Sequence, residues 1–110
     1  MIWQQARVVV DTGAKRTALT VALAARLKLP QRGKRLVRGA RGENMHALFD
    51  FEIGFLIKED AGARPLFLDG LIQGMEWAGH PEFEVLLGMD VLSRCDLSLR
   101  RDQSFSLVVS

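Results

Sequence analysis

Val8-Val9-Val10-Asp11-Thr12-Gly13-Ala14 is the stretch of this 110-residue chain that decides its fold. Three β-branched residues favour a strand, and the Asp-Thr-Gly that follows them favours a tight turn. A carboxylate at the end of a buried strand is costly unless hydrogen bonds hold it. Gly13 allows backbone N–H groups to face Asp11, and the Thr12 hydroxyl can lock the turn. The tripeptide alone is also compatible with an ordinary Asx turn at a strand end.

The segment after this motif predicts a short helix and a long strand. Thr20 is an N-cap candidate for a two-turn helix over Val21–Leu27, which Pro30 terminates. The run from Met45 to Ile57 is largely an alternation of apolar and polar residues, which predicts one strand with one buried face. The glycines before this run indicate a hairpin with a mobile tip.

The second half of the chain predicts more strands and one further helix. In order, the predicted elements are a strand opening at Pro65–Leu68, a loop at Gly74–Gly79, a strand at Phe83–Leu87, a short helix at Met89–Cys95, and a final hairpin of Leu97–Leu99 with Phe105–Val109. Strands dominate, and neither a linker nor an internal repeat is present. We therefore expect a single all-β domain over residues 1–110.

A second motif, Val85-Leu86-Leu87-Gly88-Met89-Asp90-Val91-Leu92, follows about seventy residues after the first. The Asp-Thr-Gly-Ala segment with Thr17 beyond it, the glycine-bearing hairpin between Val37 and His46, and this second motif stand in an order and spacing that resemble the retropepsin family of aspartic proteases. The resemblance covers roughly residues 6–109. It implies an all-β fold, one half of a retropepsin-like closed β-barrel or sandwich, with a flap hairpin and one or two short helices.

The resemblance also implies a homodimer. In this family two carboxyl groups share one proton and hold a water, which one of them activates while the other hydrogen-bonds the substrate carbonyl. The chain has one Asp-Thr-Gly, since Asp69-Gly70 lacks the middle residue and predicts a turn. The expected partners are therefore a second copy related by a two-fold axis and a peptide or protein substrate. The implied roles are Asp11 as catalytic carboxylate, Thr12 as a contact across the dimer axis, and Gly13 as a carbonyl contact to the substrate.

A substrate cleft is implied in the same way. Its expected residues are Val9, Ala14, Phe83 and Leu86 near the catalytic loop and Gly39, Ala40, Arg41 and Gly42 in the flap. Val9, Phe83 and Leu86 imply a preference for apolar side chains beside the cut. The alternative is that these three residues are ordinary core residues. Lys15 and Arg16 either face the cleft, which would favour acidic substrate residues at outer positions, or are surface charges or partners of Asp90.

Three features bear on activity. Ala14 has no hydroxyl to hydrogen-bond an ionised carboxylate, so we expect the pair to work at milder acidity than in digestive acid proteases. Only ten residues precede Asp11, where retropepsins place one more strand, so we expect either that the chain was excised from a longer protein or that its dimer interface is built differently. The flap lacks the aromatic residue with which many relatives orient the water. The alternative function is a non-catalytic relative that keeps the fold for dimerisation or peptide binding.

Composition places further limits on function. The net charge is +2, yet nine basic residues and no acidic residue lie between positions 12 and 42. Such asymmetry can indicate a nucleic-acid surface, but no aromatic residue for base stacking lies between positions 3 and 49, so nucleic-acid binding is not expected. The single cysteine, Cys95, favours a reducing, cytoplasmic compartment, and no apolar run approaches the roughly 20 residues of a membrane span. Neither a metal nor a cofactor is expected, because the two histidines have no metal-ligand spacing.

Overall fold

The computed structural model describes residues 3–39, 42–102 and 105–109. Within these residues the chain forms ten strands and two short helices. In chain order they are β1 (Val8–Val10), β2 (Ala18–Thr20), α1 (Val21–Arg26), β3 (Gln31–Gly39), β4 (Gly42–Phe51), β5 (Gly54–Glu59), β6 (Gly62–Phe67), β7 (Ile72–Trp77), β8 (Val85–Leu87), α2 (Met89–Leu92), β9 (Cys95–Leu99) and β10 (Phe105–Val109).

Six strands form one sheet in the order β1-β8-β2-β7-β4-β3. β1 is parallel to β8 and β2 is parallel to β7, while the other neighbours are antiparallel. The remaining strands form two separate hairpins, β5–β6 and β9–β10. The all-β expectation is confirmed. The closed barrel is not found in the part of the chain that the structure describes, because β1 and β3 end the sheet without pairing with each other, and closure requires that pairing.

The hydrophobic core lies on one face of this sheet. Leu19 is 1% exposed and pairs with Val85 of the neighbouring strand. Leu23 of α1 and Val91 of α2 belong to the same buried cluster, and each large side chain buried there stabilises the fold by about 1.5–3 kcal/mol. As predicted, Thr20 caps α1: its hydroxyl accepts a hydrogen bond from the Leu23 N–H at 3.1 Å.

The apolar alternation from Met45 to Ile57 belongs to two strands. β4 ends at Phe51 and β5 begins at Gly54, in a different sheet. The single-strand prediction is wrong because the two-residue period is the same in both strands, so alternation does not reveal that the chain changes sheet. Close packing accompanies the break, since a Cβ on Gly54 would stand only 2.7 Å from the ring of Phe67.

The predicted loop at Gly74–Gly79 is also wrong, because most of it belongs to β7, between β2 and β4. The ring of Phe51 covers Gly74, and a Cβ there would stand 2.3 Å from Phe51 Cε1. A glycine in a strand interior often marks a close approach of this kind rather than a turn. Gly74 therefore makes room for the Phe51 ring of the neighbouring strand and does not mark a turn.

Other local predictions are confirmed. The turn at Asp69-Gly70 is present, with a positive φ of 84° at Gly70. β9 and β10 form the predicted C-terminal hairpin, and the predicted second helix is present but ends at Leu92. Among the described residues, no helix is long and apolar enough to cross a membrane.

Candidate active site

Asp11 follows β1, and three hydrogen bonds define its loop. Its backbone N–H donates to the carbonyl of Leu87 in β8 at 3.0 Å. The N–H of Gly13 donates to carboxylate Oδ1 at 2.9 Å, and the N–H of Ala14 donates to the Asp11 carbonyl at 3.2 Å. The loop thus holds a half-buried carboxylate at the end of the sheet with a backbone donor directed at it, which offsets part of the cost of its burial.

Thr12 and Gly13 are exposed beside this carboxylate. A Cβ on Gly13 would stand 3.2 Å from Asp11 Oδ1, so any side chain at that position would crowd the carboxylate. The three residues predicted to be catalytic therefore form one contiguous turn with the carboxylate at its base.

The second sequence motif packs directly behind the first. The N–H of Met89 donates to the carbonyl of Ala14 at 2.7 Å. A Cβ on Gly88 would lie 2.5, 2.6 and 2.9 Å from backbone atoms of Arg16, so a residue with a side chain would force the two segments apart. Gly88 is required here by close approach of two backbones.

A buried hydrogen-bond network joins the two motifs. Thr17 is 0% exposed, and its hydroxyl donates to Asp90 Oδ1 at 2.8 Å and accepts from the Gly88 N–H at 3.2 Å. The Asp90 carboxylate also accepts from the N–H groups of Thr17 and Val91. Sequence reasoning included Thr17 in the motif but missed this role of Asp90. The available signal was an acidic residue in the first turn of a short helix, which by itself suggests only helix-end electrostatics.

An apolar row crosses the sheet on the face opposite the core. Strand register joins Val9 to Leu86, Leu86 to Ala18, Ala18 to Met75, and Met75 to Leu48. Paired residues point to the same face, and each of these is adjacent in its strand to a position on the core face. Ala18 is buried and the others are half-buried. We call this row the cleft floor; it begins in β1, the strand that leads into the Asp11 loop.

Phe83 lies outside the cleft floor. Its backbone pairs with His80, and it lines an open groove of about 810 Å³ together with Trp77. In this groove His46 Nδ1 is 3.9 Å from Glu76 Oε1 and has no hydrogen-bond partner in the described part of the chain. Of the three apolar residues predicted to shape the cleft, Val9 and Leu86 are brought side by side, whereas Phe83 belongs to this groove.

The flap hairpin consists of β3 and β4. Gly39 and Gly42 are directly paired at its end, and Gly42 has a φ of 107°, which a residue with a side chain rarely adopts. Ala40 and Arg41, which were also predicted to bind substrate, lie outside the described residues. The predicted hairpin is present, although the sequence did not indicate that its first strand begins as early as Gln31.

The two faces of the flap carry different residues. Leu48 of β4 belongs to the cleft floor, so the cross-strand pair Val37 and Asn44 shares its face. Leu36 and Met45 form the adjacent pair and lie on the opposite face, where they are 48% and 54% exposed. Val37 is half-buried. Register therefore distinguishes a cleft-facing side of the flap from an outer side.

Lys15 and Arg16 follow Ala14, and neither is paired with Asp90. Arg16 Nη1 donates instead to Gln73 Oε1 at 3.2 Å, and the structure gives no ion pair for either residue in the described ranges. The Asp90 carboxylate is occupied by the hydroxyl and N–H donors described above. Of the alternatives that the sequence left open, the pairing with Asp90 is not found.

Cys95 is half-buried, and its Sγ donates to the Val91 carbonyl at 3.6 Å. Burial raises the pKa of the Cys95 thiol, an effect that Arg94 partly offsets and Asp96 reinforces. A thiol with a raised pKa stays protonated at neutral pH and is a poor nucleophile. Within residues 3–39, 42–102 and 105–109, no three His, Cys, Asp or Glu side chains are grouped to hold a metal ion.

A family model described as aspartyl protease matches residues 4–91. The match includes the Asp11 loop, the flap and the Gly88 motif, and ends within α2. Comparisons with curated proteins and with solved structures give no match. The matched region is most of the chain.

Proposed function

Because this chain belongs to the retropepsin-like aspartyl protease family, we propose that it is an endopeptidase whose active unit is a pair of identical chains, each supplying Asp11. The Asp11 loop carries the proposal, because a backbone N–H supports a half-buried carboxylate within an exposed turn. The adjoining cleft floor adds an apolar surface beside that carboxylate. Convergent polar groups next to an apolar surface are typical of substrate sites.

Two Asp11 carboxyl groups brought together across a two-fold axis repel each other when both are charged, so the pair holds one proton between them. The ionised group removes a proton from a water held between them, while the protonated group hydrogen-bonds the substrate carbonyl. The water oxygen bonds to the carbonyl carbon, whose oxygen takes the proton of the protonated Asp11. The tetrahedral intermediate then breaks its C–N bond as the amine takes up the proton removed from the water and a hydroxyl of the intermediate returns a proton to the other Asp11. The Gly13 N–H supports whichever carboxylate is ionised.

The C-terminal hairpin supports the pairing of two chains. Leu97 of β9 lies opposite Leu107 of β10, and Leu99 follows on the same face. The first two are half-buried, whereas Leu99 is 75% exposed. Leu107 packs against the core of its own chain, so the part of this face that a hairpin from a second copy would cover is the exposed Leu99.

The cleft floor supports cleavage between apolar residues. Val9 and Leu86 are only half-buried in a single chain, so an apolar substrate side chain gains by packing against them. Val37 of the flap is on the same face of the sheet. The proposed substrates are therefore peptides or unfolded protein segments with apolar residues on both sides of the cut.

The test is digestion of a diverse peptide mixture, read by mass spectrometry from about pH 4 to 7, at concentrations where the chain is dimeric. Wild type should cut between apolar residues, and Asp11→Asn should lower the rate by at least about 100-fold, because it removes the general base. Asp60→Asn is the matched control, since it makes the same chemical change in the exposed turn between β5 and β6.

Equal cutting by wild type and Asp11→Asn would overturn the proposal. Silence of both proteins, with binding of apolar peptides retained, would favour the non-catalytic peptide-binding module instead. Cutting that depends on the square of chain concentration below the dimer dissociation constant would support two chains per active unit.

A further inference from the structure

An open recess of about 460 Å³ lies beside the catalytic loop. Its walls include Lys15, Arg16, Gln73, Asp90 and Arg94, and we call it the cationic recess. It is separate from the groove that Phe83 lines. The charged groups of Lys15, Arg16 and Arg94 take no part in the hydrogen bonds that define the Asp11 loop.

The cationic recess carries an excess of positive charge. Three of its side chains are cations, and Asp90 is its acidic member. The carboxylate of Asp90 is directed at Thr17 and at the Val91 N–H, and it makes no ion pair in the described part of the chain. The Asp90 carboxylate is thus close to the three cations, but its hydrogen bonds go to Thr17 and Val91 and not to them.

Neutral acceptors orient two of these cations without cancelling their charge. Arg16 Nη1 donates to the Gln73 side-chain carbonyl at 3.2 Å, and Arg94 Nη2 donates to the backbone carbonyl of Asp69 at 2.6 Å. Lys15 is exposed. A guanidinium held in this way retains free donors for a carboxylate, which is the anion its planar fork fits best.

The position of the recess relates it to the scissile bond. The Asp11 N–H bonds the Leu87 carbonyl in β8, and the next residue, Gly88, lies against the backbone of Arg16. The Arg16 side chain in turn bonds Gln73 in β7. Neighbouring strands are about 4.8 Å apart, so the recess begins roughly 10 Å from Asp11. An extended peptide covers that distance in about three residues.

We propose that the cationic recess binds the carboxylate of a substrate Asp or Glu about three residues from the cut, so that the chain selects peptides in which an acidic residue flanks an apolar cleavage pair. This inference rests on the proposed protease function and names its substrate class. The cleft floor selects the apolar substrate residues on both sides of the cut, and the cationic recess selects the acidic residue that flanks them.

The first test compares peptides that share one apolar cleavage pair and carry Glu, Gln or Lys three residues to either side. We expect kcat/KM to be about fivefold higher for Glu than for Gln, as partly exposed ion pairs allow, with the difference mainly in KM. Lys should be the poorest. The preference should shrink between about 0.05 and 0.5 M salt because exposed charges are screened. Equal kcat/KM for the Glu and Gln peptides would overturn the proposal.

Charge reversal provides the second test. Lys15→Glu should abolish or reverse the Glu preference while the Gln peptide is still cut, and Arg94→Gln should weaken it. Lys28→Glu is the matched control, because it makes the same charge change at an exposed position just after α1. If Lys28→Glu changes the preference as much as Lys15→Glu does, the effect belongs to net charge and the recess assignment is wrong.

Binding separates failure of this inference from failure of the protease proposal. If no peptide is cut, the protease proposal fails, and fluorescence anisotropy of the same labelled peptides still tests the recess. Tighter binding of the Glu peptide than the Gln peptide, lost in Lys15→Glu, supports the recess, and equal binding overturns it. Preferential binding of a labelled single-stranded RNA, lost in Lys15→Glu, would assign the recess to phosphates and also overturn the peptide inference.

Discussion

At the scale of single residues, Thr17 is the link between the two halves of the site. Its hydroxyl has one donor and two acceptor directions, and it uses them to bridge the Gly88 N–H and the Asp90 carboxylate. Thr17 is fully buried, so water cannot replace either bond. The Thr17 hydroxyl therefore adds two side-chain hydrogen bonds to the backbone ones that join the Asp11 loop to the Gly88 motif.

We expect Thr17→Val to lower the free energy of unfolding by about 2 kcal/mol, because it preserves shape but leaves the buried Gly88 N–H without its partner and removes one hydrogen bond to the Asp90 carboxylate. Thr17→Ser keeps the hydroxyl and loses one methyl group, which should cost about 1 kcal/mol. Urea denaturation followed by circular dichroism measures both. If the Ser variant is the less stable of the two, packing of the methyl group matters more than the hydrogen bonds.

At the scale of elements, the flap is a hairpin with two distinct sides. Val37 and Asn44 share the face of the cleft floor, while Leu36 and Met45 are exposed on the outer side. The neighbouring positions 36 and 37 of β3 therefore lie on opposite faces, one residue apart along the hairpin. This alternation offers a matched pair of substitutions.

We expect Val37→Ala to lower kcat/KM for an apolar peptide by about threefold to tenfold, because two methylene equivalents of substrate contact are lost. Leu36→Ala removes more side chain from the outer face and should leave kcat/KM within about twofold. Steady-state kinetics on one peptide tests both variants. Equal losses, or a larger loss for Leu36→Ala, would mean that the cleft lies on the other side of the flap.

At the scale of the whole molecule, the proposed mechanism needs a second chain. A single Asp-Thr-Gly supplies one carboxylate, and that mechanism uses two. The six-stranded sheet also has open edges at β1 and β3, and the β9–β10 hairpin forms no part of it. On this hairpin Leu107 packs against the core and Leu99 is exposed, so Leu99 is the position at which the proposed dimer is tested.

We expect Leu99→Glu to raise the dimer dissociation constant by at least about 100-fold, because it places a charge on the apolar face of the hairpin. Ser98→Glu is the control, since Ser98 points to the other face and pairs with Ser106. Sedimentation equilibrium measures the dissociation constant. An unchanged constant for Leu99→Glu would show that the two chains associate through another surface.

The candidate site was predictable from the sequence where it is local. Asp11, Thr12, Gly13 and Ala14 are neighbours in the chain, and the structure brings them into the tight turn that their residue types favour. The parts that sequence reasoning missed involve distant residues. Asp90 bonds Thr17 across 73 positions, and neither residue type indicates the other.

By itself, then, the sequence determined the Asp11 turn, the cap of α1 at Thr20, the turn at Gly70 and the C-terminal hairpin. Each follows from hydrogen bonds and backbone angles among residues a few positions apart. Only the tertiary structure decided that the chain changes sheet after Phe51 and that Gly74 lies within a strand. It also decided that Phe83 lies outside the cleft floor. These outcomes depend on which strands pack together, and the same alternation or glycine is compatible with several such arrangements until distant side chains meet.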